Sequence, residues 1–180
     1  MTPQGVVAVC RRVDVALEQA VRPDARLVVC CAQVRDPGNA GTVVRCADAF
    51  GADGVVLSTG SVELTNPKTV RASVGSLFHL PVSVGADLAE VVTTARAAGL
   101  QVLAADGSGE DELASLSSSG VLAAPTLWVF GNEAWGMPEQ DRALADRVVR
   151  VPLYGAAESL NLATAAAVCL WTSASAQRAA

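Results

Sequence analysis

The apolar positions of this chain follow two rhythms. Short, mostly apolar runs rich in Val and Leu occupy residues 6–10, 27–31, 55–58, 80–84, 101–105, 126–130 and 147–151. Runs of this length between Gly, Pro and Asp predict buried strands. Between them, apolar residues recur at helical spacing. Val43, Cys46, Ala47 and Phe50 predict a helix over 40–51 stopped by Gly51, and Asn66 with Pro67 opens a second helix that runs to about residue 77. An Ala-rich helix is expected over 86–98 before Gly99, a short one after Pro138, and a long one over 161–177. Residues 107–120, rich in Ser and Gly, read as a surface segment.

Strands alternating with helices predict an α/β fold, a mostly parallel sheet with helices on both faces. The 180 residues show no internal repeat or low-complexity linker, so a single domain over 1–180 is expected. Hydrophobic residues make up 51% of the chain, but they are dispersed among Arg, Asp and Gly. No apolar run approaches the ~20 residues that span a bilayer, and the start of the chain does not resemble a signal peptide. A cytoplasmic location without membrane contact is the expectation. Cys10, Cys30, Cys31, Cys46 and Cys169 lie in apolar surroundings without a C-x-x-C pair, and read as small core residues. The net charge of -5 argues against a free-standing, sequence-blind nucleic-acid binder. Lys68 is the only lysine, so positive charge is almost all arginine.

Three polar clusters fall at strand-to-helix junctions, where parallel α/β folds place their ligand sites. In the first, Asp36, Pro37 and Gly38 form a turn and Asn39 reads as a helix N-cap. Arg45 lies away from the apolar stripe of its helix, as a solvated side chain or a functional one. In the second, Gly131 allows close backbone approach, while Asn132 and Glu133 alone would pass for an ordinary loop. In the third, Ser159 precedes the final helix as a candidate cap, followed by Leu160 and Asn161.

Taken in order, Asn39-x-Gly41-x-x-x-Arg45, then Gly131, Asn132 and Glu133, then Glu158, Ser159, Leu160 and Asn161 resemble the three signature motifs of the SpoU/TrmH family of SPOUT RNA methyltransferases. The likeness runs from Thr2 to about Trp171. It implies methyl transfer from S-adenosylmethionine to a ribose 2'-hydroxyl of RNA, a C-terminal trefoil knot that forms the cofactor pocket, and a homodimer that completes the site. Asn39, Arg45, Glu133, Ser159 and Asn161 take the catalytic positions of the family. Gly131, Asn132, Val151, Pro152, Leu153 and Leu160 take the cofactor positions, with Ala105 on the adenine side. An apolar cradle of backbone atoms suits adenine. Lys68 and Arg71 match expected contacts to RNA phosphates.

Guanidinium stays protonated in proteins, so Arg45 is expected to stabilise the developing alkoxide rather than act as a base. Glu133, a backbone phosphate and water all remain open as the proton acceptor. His79, between Phe78 and Leu80, reads as structural. The sulfonium is already an excellent leaving group, so the chemistry calls for no metal. The resemblance favours ribosomal over transfer RNA, and many relatives carry an N-terminal RNA-binding domain ahead of this segment. A catalytically silent RNA-binding or ribosome-associated module is the alternative. A dinucleotide enzyme is disfavoured because no G-x-G-x-x-G follows the first strand. Leu162, Ala165, Ala166 and Cys169 give the last helix an apolar face for either a partner or the core.

Overall fold

Side-chain alternation along the central strands divides the interior into two layers. The computed structural model describes residue 5 and residues 9–179. In β2 (Leu27–Cys31), Leu27, Val29 and Cys31 join one core cluster while Val28 and Cys30 join the other. The strand's sequence is apolar throughout because both of its faces are covered.

The other strands are β1 (Asp14–Val15), β3 (Gly54–Leu57), β4 (Val82–Val84), β5 (Gln101–Ala105), β6 (Asp111–Glu112), β7 (Thr126–Phe130) and β8 (Arg147–Arg150). They form one sheet in the order β1-β4-β3-β2-β7-β5-β8-β6, parallel at every pairing. The helices are α1 (Leu17–Ala20), α2 (Pro37–Phe50), α3 (Pro67–Ser73), α4 (Leu88–Ala97), α5 (Leu113–Ser118), α6 (Glu139–Arg142) and α7 (Leu162–Ala179). α2, α5 and α7 bury apolar side chains on one face of the sheet, α1 and α4 on the other. The expected mostly parallel sheet between two helical layers is what the chain forms.

The β7 residue Trp128 is fully buried, and its indole N–H donates to the Ser173 hydroxyl at 2.9 Å. That bond satisfies the one polar atom of a large core side chain and ties α7 to the middle of the sheet. Of the face read along the last helix, Ala166 and Cys169 are fully buried in this core. The outward large apolar side chains of α7 are Val168 and Trp171 instead.

Several boundaries move for local reasons. α2 starts at Pro37 because Asp36, not Asn39, is its cap: the Asp36 carboxylate accepts from the Asn39 N–H at 2.8 Å. Gly51 ends α2 in the left-handed conformation, at φ 73°. The helix expected to reach residue 77 stops at Ser73, where Val74 and Gly75 turn left-handed at φ 51° and 94°, and a 3-10 turn over Ser76–Phe78 follows. Residues 107–120 are more than a surface segment: they carry β6 and α5, with Leu113 and Leu116 buried. Residues 6–8 of the first expected strand lie outside the described residues, and Val9 and Cys10 are exposed outside any strand. Cys10 therefore departs from the core assignment given to all five cysteines. Burial pushes the Cys31 and Cys169 thiols up to about 12 and leaves them inert at neutral pH.

Gly41 allows α2 and α3 to touch. A Cβ there would meet the Thr69 carbonyl oxygen and come within 2.7 Å of the Ala72 Cβ. Gly41→Ala is expected to destabilise the fold by about 1–3 kcal/mol through overpacking, read as a lower urea midpoint at unchanged slope.

Candidate functional site

Parallel pairing brings the carboxyl ends of β2, β5, β7 and β8 to one edge, and the strand order reverses direction between β2 and β7. Ligands bind open α/β sheets at such a point. Here the segments leaving β5, β7 and β8, on the β7 side of that point, form an open-mouthed cavity of 790 Å³. Ala105, Gly131, Asn132, Val151, Pro152, Leu153 and Leu160 all line it, as do Glu133, Ser159 and Asn161. Its charged lining is mainly acidic: Asp106, Glu112, Glu133 and Glu158 face a single cation, Arg150, which is paired with Glu112 at 2.6 Å.

The three polar clusters converge through their side chains. Asn161 caps α7, its Oδ1 accepting from the Ala163 N–H at 2.9 Å, while its amide donates to Asn39 Oδ1 at 3.0 Å. The Asn39 amide in turn donates to Glu133 Oε1 at 3.1 Å. Glu133 also accepts from the backbone N–H groups of Arg35 and Asp36 at 3.3 and 3.2 Å. Two side-chain bonds thus join pairs of residues 122 and 94 positions apart. The cap of the last helix is Asn161 rather than Ser159, whose hydroxyl lies exposed on the cavity wall without a hydrogen bond among the described residues.

Asn132 shapes the loop beside the cavity. Its amide donates to the Gln33 carbonyl at 2.7 Å, its Oδ1 accepts from the Ala134 N–H at 2.8 Å, and its backbone exchanges both hydrogen bonds with Gly136. Gly136 closes the turn at φ 69°. Asp106 braces the same loop from β5. Burial works to raise its pKa, yet the Ser108 hydroxyl and N–H, Arg142 and the Met137 N–H hold it below the usual carboxylate range.

Five of the residues singled out from sequence stand outside the cavity wall. Asn39 reaches it only through its bonds to Asn161 and Glu133. Arg45 is exposed on α2, about 9 Å along the axis from Asn39, and makes no hydrogen bond or ion pair among the described residues. Lys68 pairs with Asp36 at 3.0 Å, and Arg71 lies exposed on α3. His79 is an exposed partner of Asp48 at 2.8 Å, away from the cavity. Sequence reading passed over Asp36, the cap that leaves the Asn39 side chain available, and Arg35 with Trp135, the guanidinium carbon lying 5.0 Å from the ring centroid next to Glu133 and Gly136 of the cavity wall. A helix-cap signal was present at Asp36, since Pro37 follows it at the first helical position. Among the described residues no group of three His, Cys, Asp or Glu side chains is placed to hold a metal, and no helix is long and apolar enough to cross a membrane.

A ligand-sized cavity at the carboxyl edge of a parallel sheet, rimmed by polar side chains from three distant junctions, defines a small-molecule-binding α/β domain. Residues 26–171 match the model of the SpoU rRNA Methylase family, and the chain belongs to that family. It is 38% identical over 173 residues to the 23S rRNA (guanosine(2553)-2'-O)-methyltransferase RlmP of Bacillus subtilis, covering 94% of this chain and 64% of that protein. It is 36% identical over 140 residues to the 23S rRNA (uridine(2479)-2'-O)-methyltransferase of Streptomyces viridochromogenes, covering 75% of this chain and 47% of that protein. The chain thus spans less than two thirds of either relative's length. The crystal structure of the SpoU methyltransferase AviRb from Streptomyces viridochromogenes in complex with AdoMet superposes with a TM-score of 0.80 at 33% identity, over 94% of this chain and 67% of that one.

The Asn39 N–H first, and then Lys68, hold the Asp36 carboxyl below its ordinary value of 3.8. A folded value below the unfolded one means that this stabilisation is complete above about pH 4 and is lost as pH falls through the folded value. Asp36→Asn keeps the cap and removes the charge. The variant is expected to be less stable by about 0.2–1 kcal/mol at pH 7, with the two stability curves drawing together as pH falls from about 4 through the folded value when urea midpoints are followed against pH.

Proposed function

We propose that this chain transfers a methyl group from S-adenosylmethionine to a ribose 2'-hydroxyl of RNA, with ribosomal RNA the favoured substrate. The observation that carries the reading is the side-chain run Asn161, Asn39, Glu133, which draws all three family motifs to the mouth of one cavity. The named relatives are 23S rRNA 2'-O-methyltransferases, and the AviRb complex contains AdoMet.

The residues present fit that cofactor. A volume of 790 Å³ lies within the range of small-molecule sites. The wall formed by Ala105, Gly131, Val151, Pro152, Leu153 and Leu160 presents apolar side chains and strand-end backbone, suited to the adenosyl part. Asp106, Glu133 and Glu158 place negative charge around a group that carries a sulfonium. When bound, S-adenosylmethionine supplies an electrophilic methyl group with a neutral thioether as leaving group.

In this reading the protein contributes position and charge. Glu133 is an organiser: its oxygens accept three N–H donors and hold Asn39 against the cavity. Ser159 and Asn161 orient the ribose from the opposite wall. Arg45 remains protonated and donates to the developing 2'-alkoxide, while the proton leaves to water or a backbone phosphate. Lys68 and Arg71 contact phosphates. Arg35, Arg45, Lys68 and Arg71 are all exposed, and this local arginine-rich surface offsets for RNA the overall charge of -5.

The described residues act as one catalytic unit whose C-terminal segment threads as a trefoil knot. Supporting this, residues from both 131–137 and 151–161 line the same cavity, and α7 returns to pack on β7 and α2. The unit works as a homodimer in which Val168 and Trp171, both outward on α7, meet the partner. Such a dimer allows Arg45, which stands off its own cavity wall, to complete the partner's site.

Calorimetry should show near-stoichiometric binding of S-adenosylmethionine. Arg45→Ala is expected to lower transfer of labelled methyl to ribosomal RNA by about 10²–10³-fold at unchanged cofactor affinity. Cofactor binding without methylation of any ribosomal or transfer RNA would point to the silent module, and absence of cofactor binding by folded protein would defeat the reading. Sedimentation of the wild type should give a dimer and of Trp171→Asp a monomer; a wild-type monomer would remove the shared site.

A further inference from the structure

We propose that Arg35 and Trp135 form a platform on which an unpaired base of the substrate RNA stacks, next to the reacting ribose. The inference rests on the reading of this site as an RNA ribose methyltransferase and adds a base contact to it. Of the three tryptophans, Trp128 is in the core, whereas Trp135 leaves 51% of its surface open in a turn whose residues Asn132, Glu133 and Gly136 line the cavity. The Arg35 guanidinium lies 5.0 Å from its ring centroid and makes no ion pair among the described residues. An arginine stacked on an exposed indole offers a flat cationic surface, attractive to a nucleobase and its phosphate together.

The pair is also held in place before any ligand arrives. Trp135 sits inside the turn closed by the double hydrogen bond between Asn132 and Gly136, and the Asn132 amide fastens that turn to Gln33. The Arg35 N–H donates to Glu133, the residue that bonds Asn39. Platform and polar rim are therefore parts of one hydrogen-bonded unit, and a base on the platform fixes its ribose relative to Asn39 and Asn161. Pinning the loop does not require the stack, because Asn132 already does so. An open tryptophan at this position is accounted for by a ligand with a π-face, and in this family that ligand is RNA.

The test compares the full chain with Trp135→Ala and Trp135→Phe, saturated with S-adenosylhomocysteine. Each is titrated with a labelled single-stranded oligoadenylate of about ten nucleotides and with an abasic strand of the same length. Trp135→Ala should raise the oligoadenylate Kd about 5- to 100-fold, Trp135→Phe should restore most of the loss, and affinity for the abasic strand should not change. Oligoadenylate should also quench tryptophan fluorescence in the wild type and not in Trp135→Phe. Equal binding of oligoadenylate by wild type and Trp135→Ala, or an equal loss on the abasic strand, overturns the platform. So does a wild type that binds S-adenosylhomocysteine but not oligoadenylate, and that result leaves the methyltransferase reading intact. Failure to bind S-adenosylhomocysteine overturns both.

Discussion

One polar connection organises this molecule: the side-chain path from Asn161 through Asn39 to Glu133, continued into the backbone at Arg35 and Asp36. It links the start of the last helix, the start of α2 and the loop after β7, three places that the sheet alone only brings near one another. Each member uses its donors and acceptors in a fixed sense. Asn161 spends its oxygen on its own helix and its amide on Asn39; Asn39 accepts on one atom and donates from the other. An aspartate at either position could not do both, since an ionised carboxylate only accepts. The path exists because Asp36 takes over the cap of α2 and frees the Asn39 side chain to reach outward.

Around that path the charges separate. The cavity interior is acidic, which suits a cationic cofactor, whereas exposed cations lie on α2, α3 and the loop before α2. A protein of net negative charge can thereby present one surface to a polyanion and a different one to a sulfonium. Lys68 connects the two regions, since its ammonium steadies the Asp36 cap while remaining exposed enough to meet a phosphate. The loop over 131–137 lies between them, pinned by Asn132 and Asp106 from two sides. Its position is set by these hydrogen bonds together with the burial of Met137 at its end.

How much could be read from the chain depended on the length of each signal. The long apolar runs of β2 and β7 and the capped, periodic α2 were plain, because each accumulates many consistent residues. β1 and β6 were missed because two residues carry no periodicity, and α5 because its buried Leu113 and Leu116 stand among serines. The helix after Asn66 was read too long because nothing local announces that Val74, a β-branched residue, turns left-handed. In the site, all seven residues read as cofactor positions lie on the cavity wall, since they occupy strand ends and junctions. Arg45, Lys68 and Arg71 do not, because their place depends on how α2 and α3 pack.

By itself the sequence determined the layers of the fold, the junctions where a site could form and the family to which the chain belongs, all carried by short-range spacing of residue types. Tertiary structure alone decided which polar atoms meet. Asn39 became a bridge rather than a cap, Asn161 a cap and a bridge at once, and Ala166 and Cys169 core rather than interface. It also set Arg35 against Trp135, a pairing 100 residues apart in the chain. The reason is that each of these side chains has more than one satisfactory local partner, and only the parallel stacking of distant strand ends selects among them.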